Sequence, residues 1–255
     1  LFKKGSWNIE NPLVLNGNLT ITEDTKLNFS KESYLIINGS VKFEGSQNKP
    51  IIFQGKNGEW GGIYILSKNK LKSSLKNVLV KNISGINDGI LNLNSGITIY
   101  EGDVEIDNLK IENSKTEDAI NIVSSKVNIN QLIIESTFSD ALDCDFCTGI
   151  IKRSRFNNIF GDAVDFSGSN VTLSKISIHK VKDKGLSVGE NSNILVEGNS
   201  IIEGSGNSHS GISVQRMNSA AEILIQNNTI ETKNTAIEAY DDNNHTYKIL
   251  GNTQI

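Results

Sequence analysis

Six residues in the middle of the chain have types and spacing suited to chemistry. Asp140, Asp143 and Asp145 stand in "SDALDCDF", and Asp162 and Asp165 follow in "GDAVDFSGSNVTL", 22 residues further on. Lys184 opens "KGLSV" after another 22. Paired carboxylates are the equipment of glycoside hydrolysis, one serving as acid and the other as base or nucleophile. They are also oxygen ligands of the kind calcium prefers. A lysine beside carboxylates suits removal of the C5 proton of a uronate whose acid group a cation neutralises. All three chemistries need side chains some twenty residues apart in sequence to become neighbours in space.

The elements that would bring them together are written in a repeat. The motif x-[AG]-[ILV]-x-[apolar] occurs as "SGITI" from Ser95, "DAINI" from Asp118, "DALDC" from Asp140, "DAVDF" from Asp162, "KGLSV" from Lys184, "SGISV" from Ser210 and "TAIEA" from Thr235. The steps are 22 to 26 residues. Two further short alternations follow each copy, for example "VNI" at Val127 and "LII" at Leu132. Each unit therefore reads as three strands of three to five residues separated by turns. One such unit cannot bury its own apolar face, but stacked copies form continuous interior columns. Three short strands per turn predict an all-β fold, a single-domain right-handed parallel β-helix. "DN", "GN", "NN" and "GN", ending at Asn108, Asn199, Asn228 and Asn252, fall between second and third strands. Asn tolerates the left-handed backbone of such corners and hydrogen-bonds along a stack. Residues 1–60 carry a looser pattern and are expected to be capping rungs. Residues 61–255 are expected to be regular coils of the same continuous domain, with an extra rung or an excursion between Leu71 and Asn94.

In the motif the two apolar residues point inward, so the residue between them points out. The outward column then reads Tyr64, Thr98, Asn121, Asp143, Asp165, Ser187, Ser213, Glu238. The next reads Leu66, Tyr100, Val123, Asp145, Ser167, Gly189, Gln215, Tyr240. The corner column before the strand contains Asp118, Asp140, Asp162 and Lys184. Coils about 4.8 Å apart would crowd these acids into one patch. Like charges so close call for a cation between them, a proton on one of them, or screening by solvent. In an enzyme, Asp143, Asp162, Asp165 and Lys184 are the candidate catalytic groups. Asp140, Asp145, Asn121, Tyr64 and Tyr100 are candidate substrate contacts, the tyrosines by stacking on pyranose rings. Asp143 and Asp165 are the candidate calcium ligands. The corner aspartates are also explained as acceptors of backbone N–H groups at tight turns, with no ligand. That explanation fits Asp143 and Asp165 less well, because nothing about a strand requires acid there.

The opening "NLTITEDTKLNF", "LIINGSVKFEGSQNKPIIFQG" and "WGGIYI" resembles the N-terminal rungs of bacterial secreted and cell-surface right-handed β-helix proteins, the pectate lyase-like superfamily. The later rungs resemble its carbohydrate-binding and sugar-hydrolysing branch. The motif order is similar to that of polygalacturonases. "SDALD" resembles their T-D-G-[IV]-D strand, which makes Asp140 the counterpart of its first acid, and "GDAVDF" resembles their G-D-D-C rung, which carries one catalytic acid over to Asp162. "DKGLSVG" resembles their G-H-G-I-S-[IV]-G rung. The second acid of the G-D-D rung is Ala163 here, its histidine is Lys184, and the substrate-gripping Arg-x-Lys has Ser213 in its place. The resemblance implies a secreted, periplasmic or surface-exposed domain that engages polysaccharide as a binding or structural module of a larger protein. The alternative is an enzyme acting on acidic polysaccharide as lyase, C5-epimerase or glycoside hydrolase.

Composition sets outer bounds. A net charge of −4 over 255 residues offers no footprint for nucleic acid. No apolar run approaches the roughly 18 residues of a membrane span. The start "LFKKGSW" reads as a mature or excised fragment, and the apolar end "GNTQI" suits a continuation. The histidines His179, His209 and His245 fall at turns or away from the acids, and Arg153 and Arg155 belong to another face. Cys144 and Cys147 form a lone C-x-x-C. Residues three apart in an extended strand lie about 10 Å from each other, so both are expected to be packing thiols.

Overall fold

The computed structural model describes residues 2–67, 70–87, 91–189, 191–198, 201–204, 210–214, 222–232, 235–239 and 246–254. They form a right-handed parallel β-helix of about nine turns. One sheet of ten strands runs from Leu13–Asn16 to Thr235–Ala239 and contains every copy of the motif. The second and third strands of the coils form the other large sheet.

The coil that opens at Asp118 shows how the sequence makes a turn of helix. Strand Asp118–Val123 ends at Ser124, whose φ of 52° reverses the path. Strand Lys126–Thr137 then bends at Gln131 (φ 59°) and Ser136 (φ 64°) before delivering the chain to Asp140. Its inward residues, Ile120, Ile122, Val127, Ile129, Leu132 and Ile134, are all buried. Each such side chain is worth about 1.5–3 kcal/mol when buried. The inward column is in strict register, Ile97 on Ile120 on Leu142 on Val164 on Leu186 on Ile212. At the N-terminal end the interior is aromatic, with Phe29 stacked on Trp60 at 4.1 Å between ring centroids.

Of the three named asparagine corners that are described, only Asn108 behaves as expected; at the other two the left-handed residue is the preceding one, Asn227 or Gly251. Asn108 takes the left-handed conformation and its amide donates to Asn77 Oδ1 at 2.8 Å. At "NN", however, the left-handed residue is Asn227, and Asn228 is buried, its amide donating to the Val196 carbonyl. Asn252 does the same to the Ile225 carbonyl. Asn199 lies outside the described residues, as do His209, Gln215, Tyr240 and His245.

The Leu71–Asn94 span contains an excursion. Strand Lys72–Ile83 completes the coil begun at Ile63–Leu66, and a small antiparallel hairpin, Ile86–Asn87 with Asn92–Leu93, follows it. The hairpin region changes the reading of Tyr64. Its ring stands in the outward column, but the tyrosine is 3 % exposed. Its hydroxyl donates to the Ser95 carbonyl at 2.8 Å, with the Gly61 carbonyl at 2.9 Å, and lies 3.3 Å from the Leu93 carbonyl. Tyr64 is thus a roofed structural residue, and cannot stack on a ligand as expected.

The cysteines also differ from expectation. Cys144 and Cys147 are disulfide-bonded, with Cα atoms 5.8 Å apart. The estimate of an extended spacing fails because Phe146, between them, sits at φ 53° and turns the corner. Cys147 stands between Ser125 and Ser169 in an inward column, and its N–H donates to Ser169 Oγ at 2.9 Å.

Gly149 marks the tightest backbone approach beside the acidic coil. It has φ 137°, and a Cβ there would lie 2.0 Å from the Val127 carbonyl oxygen. Gly149→Ala is therefore expected to destabilise the protein by about 1–3 kcal/mol. Urea denaturation checks this, and an unchanged midpoint would show that the coil can shift aside.

Candidate functional site

The opening strand of each coil positions the acids. Strand Asp140–Asp145 pairs in parallel with Asp118–Val123 on one side and Val164–Ser167 on the other. Asp143 therefore lies between Asn121 and Asp165, and Asp145 between Val123 and Ser167. Beyond Asp165 the column continues to Ser187 and Ser213. The structure brings Asp143, Asp145 and Asp165 together on the outward face, with Asn121 beside them.

The corner column is a capping ladder. Ser95 Oγ donates to Asp118 Oδ2 at 2.9 Å. Asp140 Oδ1 accepts the Asp162 N–H at 2.8 Å, and Asp162 Oδ1 accepts the Lys184 N–H at 2.9 Å. Asp140 and Asp162 thus each satisfy a backbone donor of the next coil, the role such residues take at turns, while Asp118 accepts the hydroxyl of the coil before it. Lys184 closes the ladder with an ion pair. Its Nζ lies 3.1 Å from both Asp162 oxygens and 3.0 Å from Asp183 Oδ2. The side chains of Lys184 and Asp162 are only 15 % and 8 % exposed.

Burial governs the electrostatics. Asp143 is pushed up to about 8, first by desolvation and then by the charges of Asp145, Asp118, Asp165 and Asp140. The Asn121 amide donates to its Oδ2 at 2.7 Å. Asp118 is pushed to about 6 by burial, against the pull of Ser95. Burial also raises Asp165, but the Ser187 hydroxyl and the Lys184 charge oppose it. Asp140 and Asp145 are raised by the same desolvation. Burial alone would lower Lys184, yet the charge of Asp162 and the contact with Asp183 outweigh it and hold the ammonium charged. Of the three ways to relieve the acid column, a proton on Asp143 fits this geometry best. Among the described residues no three His, Cys, Asp or Glu side chains gather as a metal ion would require. Calcium takes six to eight oxygens, so Asp143 and Asp165 alone would leave it short of protein ligands.

The sequence reading missed three aromatic rings that flank this face. Phe138 is 71 % exposed, Phe160 46 % and Phe146 62 %. Phe138 and Phe160 stand just before the acidic strands of successive coils, and Phe146 stands just after the first. An exposed phenylalanine is not needed by a corner, since the positions that align with Phe138 and Phe160 in neighbouring coils are Lys115 and Lys182. The signal was present in the sequence, because "TFSD" and "IFGD" align at 22 residues. Phe160 carries the Lys182 ammonium over its ring at 3.3 Å from the centroid. Tyr100, the other expected stacking residue, is exposed, two coils from Asp145 in the second outward column.

A family model described as a right handed beta helix region matches residues 95–254. No curated protein matches the chain.

Proposed function

Because this chain belongs to the right-handed β-helix region family, we propose that its outward sheet face binds a polysaccharide at the coils opening with Asp140 and Asp162. The fold itself decides nothing about the ligand. The observation that carries the reading is a row of hydrogen-bonding side chains, Asn121–Asp143–Asp165, flanked by exposed phenylalanines. Carbohydrates present apolar ring faces and a rim of hydroxyls, and this face offers a partner to each. The polymer is a neutral one. Lys184 is already held by Asp162 and Asp183, and the Lys182 ammonium lies over the Phe160 ring, so among the described residues the acidic columns themselves offer no unpaired cation to a uronate. The Cys144–Cys147 disulfide supports an exported protein, because cytosolic thiols are kept reduced.

The working role is binding. Lyase or epimerase chemistry needs a base, and Lys184 is clasped and charged. One observation favours a second reading, glycoside hydrolysis. Asp143 holds its proton to about pH 8, whereas at Asp165 the rise that burial imposes is opposed by the Ser187 hydroxyl and the Lys184 charge. A pair pushed apart in this way has the form of an acid and its partner base.

The test is electrophoresis through gels containing soluble glucan, galactan, xylan, mannan or polygalacturonate. At least one neutral polymer should retard the protein. Asp143→Ala with Asp165→Ala should weaken retardation at least about tenfold, the loss of one or two hydrogen bonds to a charged or polar partner. Added calcium should change nothing. Retention of full affinity by the double variant, or binding to polygalacturonate alone, overturns the reading. New reducing ends on incubation would move the protein from binder to hydrolase.

A further inference from the structure

Beside the acidic face, between the hairpin region and the corner of the next coils, lies a cleft of about 310 Å³. It is the size of the smaller pockets that take organic ligands. Ile86, Leu93 and the exposed ring of Phe138 give it apolar walls. Asn94, Glu117 and Ser139 supply the polar groups, with the Asn94 amide donating to Glu117 Oε2 at 3.0 Å. Lys115 at its rim is already paired with Glu59.

Two features make this more than a crevice between coils. The excursion that forms one wall is an addition to the repeat, since the coils from Asp118 to Lys184 follow one another without it. The cleft is also continuous with the proposed binding face, because Glu117 and Ser139 directly precede Asp118 and Asp140. One apolar wall opposite amide, hydroxyl and carboxylate groups is complementary to a single sugar ring, which is apolar on its faces and polar at its edge. With a carboxylate inside and its lysine committed elsewhere, the cleft disfavours an anionic sugar.

We propose that the cleft is a subsite for one neutral pyranose unit, stacked on Phe138 with its hydroxyls turned to Asn94, Glu117 and Ser139. The inference rests on the polysaccharide-binding reading and adds to it a discrete anchoring point at the edge of the face. Stacking on one exposed ring is worth about threefold to tenfold in affinity.

Saturation-transfer NMR with methyl glucoside, methyl galactoside and methyl mannoside tests it on the intact chain. Transfer to at least one glycoside is expected. It should be lost in Phe138→Ala and kept in Ile150→Ala, an exposed position on the other large sheet. Both residues are exposed, so unchanged melting curves would certify the folds. Asn94→Ala, which leaves the ring in place, should weaken the same signal. Unchanged transfer in Phe138→Ala overturns the subsite. So does the absence of transfer to all three glycosides in a protein that neutral-polymer gels still retard, and in that case the face reading stands. Absence of both transfer and retardation removes the two together.

Discussion

Replacing Lys184 with methionine is expected to cost the fold about 3–5 kcal/mol, the usual penalty for removing one partner of a buried ion pair. The lysine is the last member of the corner ladder and the only cation within it. Without it, Asp162, which burial and Asp183 raise even with the lysine present, must ionise uncompensated or take up a proton, so the loss is largest above neutral pH. The apolar stem of methionine fills the volume, so the loss reports on charge and little on packing. Asp162→Asn in the same protein should restore a substantial part. The asparagine carbonyl still accepts the residue-184 N–H that Asp162 Oδ1 accepts at 2.9 Å. Chemical denaturation of the four proteins gives the coupling directly. A loss below about 1 kcal/mol for Lys184→Met would mean that water screens the pair as at a surface.

The second large effect concerns pH. Asp143 titrates near 8 in the folded protein and near its ordinary value of 3.8 when unfolded. Between those values the folded state binds the extra proton, so stability falls as pH rises. Below about pH 4 both states are protonated and Asp143 has no effect. Above about pH 8 the folded protein bears the full cost of an ionised, crowded carboxylate. Asp143→Asn removes that cost and keeps an oxygen to accept the Asn121 amide. Allowing for partial solvation, the gain at pH 8 to 9 is about 2–4 kcal/mol, or about 5–10 °C in melting temperature. At pH 4 the two proteins should melt together. Parallel melting curves across the whole range would show that Asp143 is ionised throughout, and the protonated acid would have to be abandoned.

The sequence disclosed the scaffold because the scaffold is periodic. Inward columns such as Ile120–Leu142–Val164 recur at fixed steps, and the alternation names the outward residues without coordinates. Asp143 and Asp165 meet for that reason. What escaped was aperiodic. The hairpin near Ile86 has no copy among the described residues, so nothing in the repeat foretold that Tyr64 would be covered. The disulfide escaped because one left-handed residue, Phe146, halves a distance that an extended strand would impose. The flanking phenylalanines escaped because corners were read only for their turn chemistry, and Phe138 and Phe160 contribute none.

Left-handed corners have a further consequence for how such a chain can change. Seventeen described non-glycine residues have φ between 48° and 64°, a conformation costing roughly 1 kcal/mol for most side chains. A solitary loop of chain would bear that expense three times per circuit with nothing above or below to offset it. Only stacked neighbours do so, and they tolerate no slippage: one residue lost from a strand would turn its apolar set to solvent. Length in this architecture is thus granular. The protein can grow or shrink by an entire circuit, or bulge outward at a bend as it does near Ile86, but it cannot be trimmed by ones and twos along its strands.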